Sequence, residues 1–144
     1  MIYVFDTNSF SELNAYYPDI FRAFWQRFDH MVAAGEVVST REVYPELING
    51  GKEHILKWAK ANKDVFTTPS SIETAFVGKI FSVRHFQALI DQKSQLRGTP
   101  VADPFVIACA HAHKGTVVTQ EKLKPNAAKI PNVCDHFKVP CIDL

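Results

Sequence analysis

The chain has 144 residues, of which 47% are hydrophobic, and its formal net charge at pH 7 is +1. This length and apolar content predict one domain, residues 1–144, with a core of its own. The near-neutral charge argues against binding of nucleic acid by bulk charge alone. No apolar run approaches the roughly 20 residues that a membrane helix needs, and the start lacks the features of a signal peptide. We therefore expect a cytoplasmic protein without a membrane segment.

The first half of the chain predicts two strands and two helices. A strand over Ile2–Phe5 is followed by the capping-box pattern Ser9–Glu12, which indicates the start of a helix. After Pro18, apolar residues at helical spacing predict a second helix with a buried face. Gly35 ends that helix, and Val37–Val38 predict a short strand. The residues of the apolar face are Ile20, Phe21, Phe24, Trp25 and Phe28.

The second half continues the alternation of helices and strands. A capping box at Ser70–Glu73 predicts a helix that continues to Leu89 or Ile90, and Gly98–Pro100 separates it from the next helix. Alternation of this kind predicts a parallel sheet covered by helices. The remaining predicted elements are a helix over Pro104–His113, a strand over Gly115–Thr119, a turn at Pro125–Asn126, a helix over Asn132–Phe137 and a strand over Val139–Ile142.

Four acidic residues are the most informative feature of the chain. Asp6 directly follows the first strand, Glu46 lies in the segment after the second, Asp103 opens a helix, and Glu121 follows the strand that begins at Gly115. The carboxyl ends of parallel strands form one edge of a sheet, where ligands bind. Carboxylates gathered at that edge repel one another, so the pattern predicts a hard divalent cation with oxygen ligands.

Each acid also has a structural interpretation. Asp103 followed by Pro104 is typical of a helix N-cap. Asp6 also fits a polar turn after a strand, and Glu121 an exposed loop. Charge is distributed unevenly: residues 1–50 hold seven acids and three arginines, and residues 51–144 hold thirteen Lys or Arg and eight acids. This balance permits an acidic pocket beside a basic surface.

Glu42 and Glu46 compete for one position of the predicted site. Glu42 stands three residues after Ser39, as the acid of a capping box does, whereas Glu46 has no local structural duty. We therefore assign Glu46 to the site and Glu42 to structure. Pro45, just before Glu46, requires that the helix start late or kink, so Glu42 remains the substitute.

Six stretches of the chain form an ordered set of motifs: Tyr3–Phe10, Arg41–Leu47, Ala102–Ala110, Val117–Glu121, Lys129–Phe137 and Val139–Leu144. Taken in this order, they resemble the motifs of a PIN domain. The resemblance is nearest to a PIN-like bacterial group of unknown function related to VapC-type toxins, and it covers nearly the whole chain. Glu121 departs from the pattern, because PIN domains more often have Asp there.

The resemblance implies a three-layer α/β/α fold with a central parallel sheet and an acidic pocket at the carboxyl ends of the strands. Asp6, Glu46, Asp103 and Glu121 match the four acidic positions that would hold Mg²⁺ or Mn²⁺. The implied activity is metal-assisted hydrolysis of RNA by an endoribonuclease, the toxin of a toxin–antitoxin pair. Asn8 and Thr119 would position the attacking water. The resemblance also implies an antitoxin partner and a homodimer.

Two other functions remain open at this stage. A PIN-like interaction module without catalysis would keep the acids as caps or as a weak metal site. A phosphotransfer enzyme of the haloacid dehalogenase type would use Asp6 as a nucleophile at the end of its strand. The sequence around Cys134–His136 lacks a second ligand pair for zinc, and Cys109 and Cys141 are interpreted as buried free thiols.

Overall fold

Five short parallel strands form one sheet in the computed structural model, which describes residues 1–50, 53–89 and 101–144. The strands lie in the order β3-β2-β1-β4-β5, so β1 occupies the centre. Every pairing within the sheet is parallel. The strands are β1 (Tyr3–Phe5), β2 (Val37–Thr40), β3 (Phe66–Thr67), β4 (Thr116–Val118) and β5 (Cys141–Ile142).

Helices connect the strands, as a parallel sheet requires. Short 3₁₀ segments at Leu13–Ala15, Lys63–Val65 and Arg84–Leu89 supplement them. None of the helices in the described ranges has both the length and the apolar character that a membrane span needs. The helices are α1 (Thr7–Glu12), α2 (Arg22–Ala33), α3 (Val43–Gly50), α4 (Glu53–Ala61), α5 (Ser71–Ser82), α6 (Ala102–His113) and α7 (Ile130–Phe137).

The order of the strands creates a switch point between β1 and β4. The connection after β1 leads to β2 on one side, and the connection after β4 leads to β5 on the other. The crevice outside the carboxyl ends of such a strand pair is where open α/β sheets bind ligands. Asp6 follows β1 directly, and Thr119 follows β4, so both residues flank this crevice.

Apolar side chains from the sheet and the helices form one core. Val4 and Val117 of the central strands are fully buried, and α6 packs across β1, β2 and β4. The long apolar run of α6 is explained by this position, because a helix buried on most sides has no polar face. The largest fully buried side chains are Phe10, Leu13, Leu47, Ile55, Ile80, Ile107, Ile130, Val4, Val37, Val43, Val106 and Val117.

Gly115 joins α6 to β4 where two backbones approach closely. A Cβ atom at this position would lie 2.7 Å from the carbonyl oxygen of Ile2. That oxygen accepts a hydrogen bond from the Thr116 amide at 2.9 Å, which begins the pairing of β4 with β1. The glycine therefore allows the central pair of strands to form.

Several details of the predicted elements were wrong. The first helix begins at Thr7 rather than Ser9, because Asp6 is its N-cap and accepts a hydrogen bond from the Ser9 amide. The second capping box is confirmed at Ser70, but α5 ends at Ser82 and a 3₁₀ segment follows it. Strand β3 was not predicted. Ile90 and Gly98–Pro100 lie outside the described residues.

The predicted apolar face of the second helix is only partly buried. Trp25 and Phe28 are buried, whereas the side chains of Ile20 and Phe21 are 73% and 41% exposed. Helix α2 begins at Arg22, so Ile20 and Phe21 belong to the preceding turn and do not follow the helical spacing. The periodic pattern extended one turn beyond the helix itself.

Candidate functional site

Asp6 is a buried carboxylate at the carboxyl end of the central strand, with 2% of its surface exposed. Its Oδ1 accepts a hydrogen bond from the Ser9 amide at 2.7 Å, and its Oδ2 accepts one from the Thr119 hydroxyl at 2.5 Å. The two contacts come from α1 and from the end of β4. They fix the plane of the carboxylate at the switch point between the strands.

Burial raises the pKa of the Asp6 carboxyl above its ordinary value, because a charged group is poorly solvated there. The hydrogen bonds from Thr119 and Ser9 lower the pKa in opposition, and the negative charge of Glu121 raises it further. Within the described part of the chain, no positively charged group lowers the pKa of Asp6, so its ionised form has no compensating positive charge there. A cation at this position would supply that charge.

Thr119 connects Asp6 to Glu121. The Thr119 hydroxyl donates to Asp6 and accepts a hydrogen bond from the Glu121 amide at 3.2 Å. Glu121 Oε2 in turn accepts the Ile130 amide at 2.9 Å, at the first turn of α7. The Glu121 side chain is thus partly buried and tied to a helix start, rather than free in an exposed loop.

Glu46 reaches the same edge of the sheet through Thr7, the residue after Asp6. The Thr7 hydroxyl donates a short hydrogen bond to Glu46 Oε2. Helix α3 begins at Val43, so Pro45 lies in its first turn, where a missing amide donor breaks no helical bond. The late start at Val43 is one of the two outcomes expected from Pro45, and Glu46 is an exposed residue of the first turn.

Glu42 is held away from that arrangement by its own neighbours. It is buried, it accepts a hydrogen bond from the Thr40 hydroxyl at 2.5 Å, and it forms an ion pair with Arg41 at 3.1 Å. The capping box with Ser39 was wrong, because Ser39 belongs to β2 and its hydroxyl donates to the Phe5 carbonyl.

Asp103 lies in the first turn of α6. The helix begins at Ala102 with Val101 as its N-cap, so the expectation that Asp103 is the cap was wrong by two positions. Helix α6 returns the chain to the start of β4, and its N-terminal end therefore points toward the carboxyl edge of the sheet. Asp103 is half-buried there.

The four predicted acids share this edge without forming a compact cluster. Among the described residues, no three of them have carboxylate oxygens that all lie within 4.8 Å of one another. The oxygen donors suit a hard cation such as Mg²⁺ or Mn²⁺.

Other residues near this edge were missed or only partly anticipated. Thr7 and Ser9 orient Glu46 and Asp6, although the sequence suggested only a polar turn. Asn8, expected to position water, is exposed on α1. A cleft of about 490 Å³ adjoins Glu121 and is lined by Thr119, Glu121, Lys122, Pro131, Cys141 and Asp143. Cys141 is half-buried there, not buried as predicted.

A family model described as a domain of unknown function, DUF4411, matches residues 3–144. The chain belongs to the DUF4411 family. Its fold is similar to a chain of VapBC2 from Rickettsia felis, solved bound to a DNA fragment from their promoter. The TM-score is 0.53 at 16% identity, with 100% of this chain and 99% of that chain covered.

The DUF4411 protein is also similar to a chain of VapBC-1 from nontypeable Haemophilus influenzae. The TM-score is 0.56 at 18% identity, with 99% of this chain and 98% of that chain covered. No curated protein sequence matches significantly. These comparisons, together with the sheet topology, confirm the predicted PIN-like fold with a central parallel sheet flanked by helices.

Proposed function

We propose that this protein is a metal-dependent endoribonuclease that hydrolyses RNA phosphodiester bonds in the cytoplasm. The observation that carries the proposal is the buried Asp6 at the switch point. Its carboxylate accepts a hydrogen bond from the Thr119 hydroxyl, and the negative charge of Glu121 raises its pKa. Asp6, Asp103, Glu46 and Glu121 would hold the ion. When bound, Mg²⁺ or Mn²⁺ acidifies a water molecule and offsets negative charge on the phosphate.

The residues of the chain have separate tasks in this proposal. Thr119 and Ser9 hold the Asp6 carboxylate in one orientation, so the carboxylate does not have to reorient when substrate binds. Thr7 holds Glu46 toward the same edge. Asn8 is exposed nearby and would hydrogen-bond water or a phosphate oxygen.

The loop after Glu121 supplies positive charge beside the acids. Lys122 and Lys124 are exposed on it, and Lys129 is half-exposed. Lys122 lines the cleft beside Glu121 and pairs with Asp143 at 2.7 Å. Lysines at the rim of an acidic pocket contact phosphates without reading bases, which fits a single-stranded or looped RNA substrate.

The proposed biological role is that of a toxin with an antitoxin partner. Support comes from the fold shared with chains of VapBC complexes. An antitoxin segment that covers the acidic edge with a basic side chain would neutralise the carboxylates and block the phosphate path. The homodimer that the family resemblance implies remains part of this proposal.

Metal binding is the first property to test, because it needs no knowledge of the RNA substrate. Mn²⁺ that binds only the folded protein raises its stability by about 2.7 kcal/mol at a concentration 100 times Kd. We expect this rise in the wild type and its loss in Asp103→Asn. Thermal unfolding with increasing Mn²⁺ measures both.

Asp64→Asn is the matched control for that experiment. Asp64 is exposed and precedes β3, so it lies at the opposite ends of the strands from Asp6. The Asp64→Asn variant should retain the full Mn²⁺-dependent rise in stability. No rise in the wild type at millimolar Mn²⁺ would favour the non-catalytic interaction module, and a phosphorylated intermediate trapped on Asp6 would favour the phosphotransfer enzyme.

Glu46 and Glu42 can be separated by paired substitutions. Glu46 is exposed and contacts the residue after Asp6, so Glu46→Gln should weaken Mn²⁺ binding by about ten-fold or more. Glu42 is buried between Thr40 and Arg41, so Glu42→Gln should instead lower stability by about 1 kcal/mol. Calorimetric titration and thermal unfolding distinguish the two effects, and the reverse pattern would assign Glu42 to the site.

A further inference from the structure

A second group of possible metal ligands lies between α5 and α6. Glu73, Cys109 and His113 each offer one ligand atom, and these atoms all lie within 4.8 Å of one another. Cys109 and His113 are four residues apart on α6, so they share one face of the helix. Glu73 comes from the first turn of α5, which packs against α6.

This group is separate from the acidic edge. Asp103 is in the first turn of α6, and Cys109 and His113 lie roughly 9 and 15 Å further along the helix axis. Gly115, two residues after His113, already packs against Ile2 just before β1. The three side chains therefore lie at the C-terminal half of α6, away from the carboxyl ends of the strands.

The two oxygens of Glu73 have different tasks. Oε2 accepts the Ser70 amide and closes the capping box of α5. Oε1 faces the Nε2 atom of His113 at 3.8 Å. Glu73 is 4% exposed, so its carboxylate is buried beside the half-exposed imidazole of His113. A buried carboxylate is costly unless it is paired or coordinates a metal.

The ligand types select a particular class of cation. A thiolate, an imidazole and a carboxylate form a borderline-soft donor set, which suits Zn²⁺ better than Mg²⁺ or Mn²⁺. With Zn–N and Zn–O bonds of about 2.1 Å, neighbouring ligand atoms of a tetrahedral site lie about 3.4 Å apart. The His113 to Glu73 distance of 3.8 Å is within a small side-chain adjustment of that value.

We propose that Glu73, Cys109 and His113 bind a Zn²⁺ ion that links α5 to α6, with a water molecule as the fourth ligand. The His113 side chain is 48% exposed, so solvent reaches this side of the group and leaves room for the water. Without metal, burial and the charge of Glu73 raise the pKa of the Cys109 thiol, which keeps it protonated. Bound Zn²⁺ deprotonates a coordinating thiol, so binding releases a proton.

Co²⁺ is a probe for metal bound by a thiolate, and substitution of Cys109 distinguishes its thiol from those of Cys134 and Cys141. A thiolate bound to Co²⁺ gives a near-ultraviolet charge-transfer band, which oxygen ligands at the acidic edge do not give. We expect the metal-free wild-type protein to develop this band on titration with Co²⁺ and to lose it on addition of Zn²⁺. Cys109→Ser should abolish the band, and His113→Gln should weaken Co²⁺ binding by about ten-fold or more.

Two control variants should leave the band unchanged. Cys134→Ser removes a buried thiol on α7, and Asp6→Asn alters the acidic edge. Because the His113 side chain is half-exposed, His113→Gln tests the site even if Cys109→Ser impairs folding. Absence of the band in the wild type at millimolar Co²⁺, or its persistence in Cys109→Ser, would overturn the proposal without affecting the Mn²⁺ result.

Discussion

Asp6→Asn is expected to lower Mn²⁺-dependent RNA cleavage by more than about 100-fold, because loss of a metal ligand exceeds the effect of losing a supporting residue. Asn preserves the shape of the side chain. Its carbonyl oxygen can accept the Ser9 amide, and its amino group can donate to the Thr119 hydroxyl. The variant should therefore fold, so a loss of cleavage would reflect loss of a metal ligand and not loss of the structure. Cleavage of a generic single-stranded RNA, with Asp64→Asn as control, measures the effect.

The same substitution should stabilise the metal-free protein at neutral pH. Burial raises the pKa of folded Asp6 above its ordinary value of 3.8, so the folded state holds this proton more tightly than the unfolded chain does. Stability from this group is fully present below pH 3.8 and is lost as the pH rises through the raised pKa. Asn does not ionise, so the variant does not lose this stability as the pH rises.

The free energy of unfolding of Asp6→Asn should consequently exceed that of the wild type by an amount that increases from pH 4 toward neutrality, up to about 1.4 kcal/mol for each unit by which the pKa is raised. Thermal unfolding at several pH values measures the difference. Saturating Mn²⁺ should reverse the order, because the ion stabilises the ionised wild type alone. A variant that cleaves RNA at the wild-type rate would remove Asp6 from the catalytic site and would favour the interaction module.

Phe10→Ala is expected to have the largest effect on stability, about 3–5 kcal/mol. Phe10 is fully buried, and its ring centroid lies 5.2 Å from that of Phe5 and 5.5 Å from those of Trp58 and Phe66. These partners come from β1, α4 and β3. Truncation leaves a cavity at the point where three parts of the fold meet.

The melting temperature should fall by about 6–20 °C in consequence. Phe21→Ala is the matched control, because Phe21 is 41% exposed and contacts Tyr16 edge-on. Its cost should stay below about 1.5 kcal/mol. Equal losses in the two variants would mean that α1 does not pack under the sheet as the structure has it.

The sequence predicted the larger elements of the fold well, for a physical reason. Strands β1 and β4 are buried apolar runs bounded by polar residues, and the Ser70 capping box is a local hydrogen-bonding motif. Such signals depend on neighbours in the chain. Strand β3 has two residues, Phe66 and Thr67, which is too short to show an alternating pattern.

The candidate site was harder to predict, because its contacts join distant parts of the chain. The sequence placed Asp6 and Glu121 after strands, but it did not indicate that Thr119 would bridge them or that Thr7 would contact Glu46. Local motifs also misled: Ser9–Glu12 matched a capping box, yet the Asp6 carboxylate reaches the Ser9 amide first.

The group at Glu73 was missed for a different reason. Cys109 lies within an apolar helix, and its surroundings in the sequence indicated a small hydrophobic residue. The available signal was the four-residue spacing of Cys109 and His113. Their third partner comes from another helix, 36 residues earlier than Cys109, and only the packing of α5 on α6 brings it near.

The central position of β1 has a consequence during protein synthesis. Asp6 is synthesised 113 residues before Thr119, whose hydroxyl orients it, and Glu121 is anchored by the Ile130 amide. A chain still attached to the ribosome cannot complete this arrangement until Ile130 has emerged, because β4 pairs directly with β1 and leads to Thr119. The proposed nuclease activity therefore depends on synthesis of the chain through Ile130, because only then can the contacts that orient Asp6 and Glu121 form.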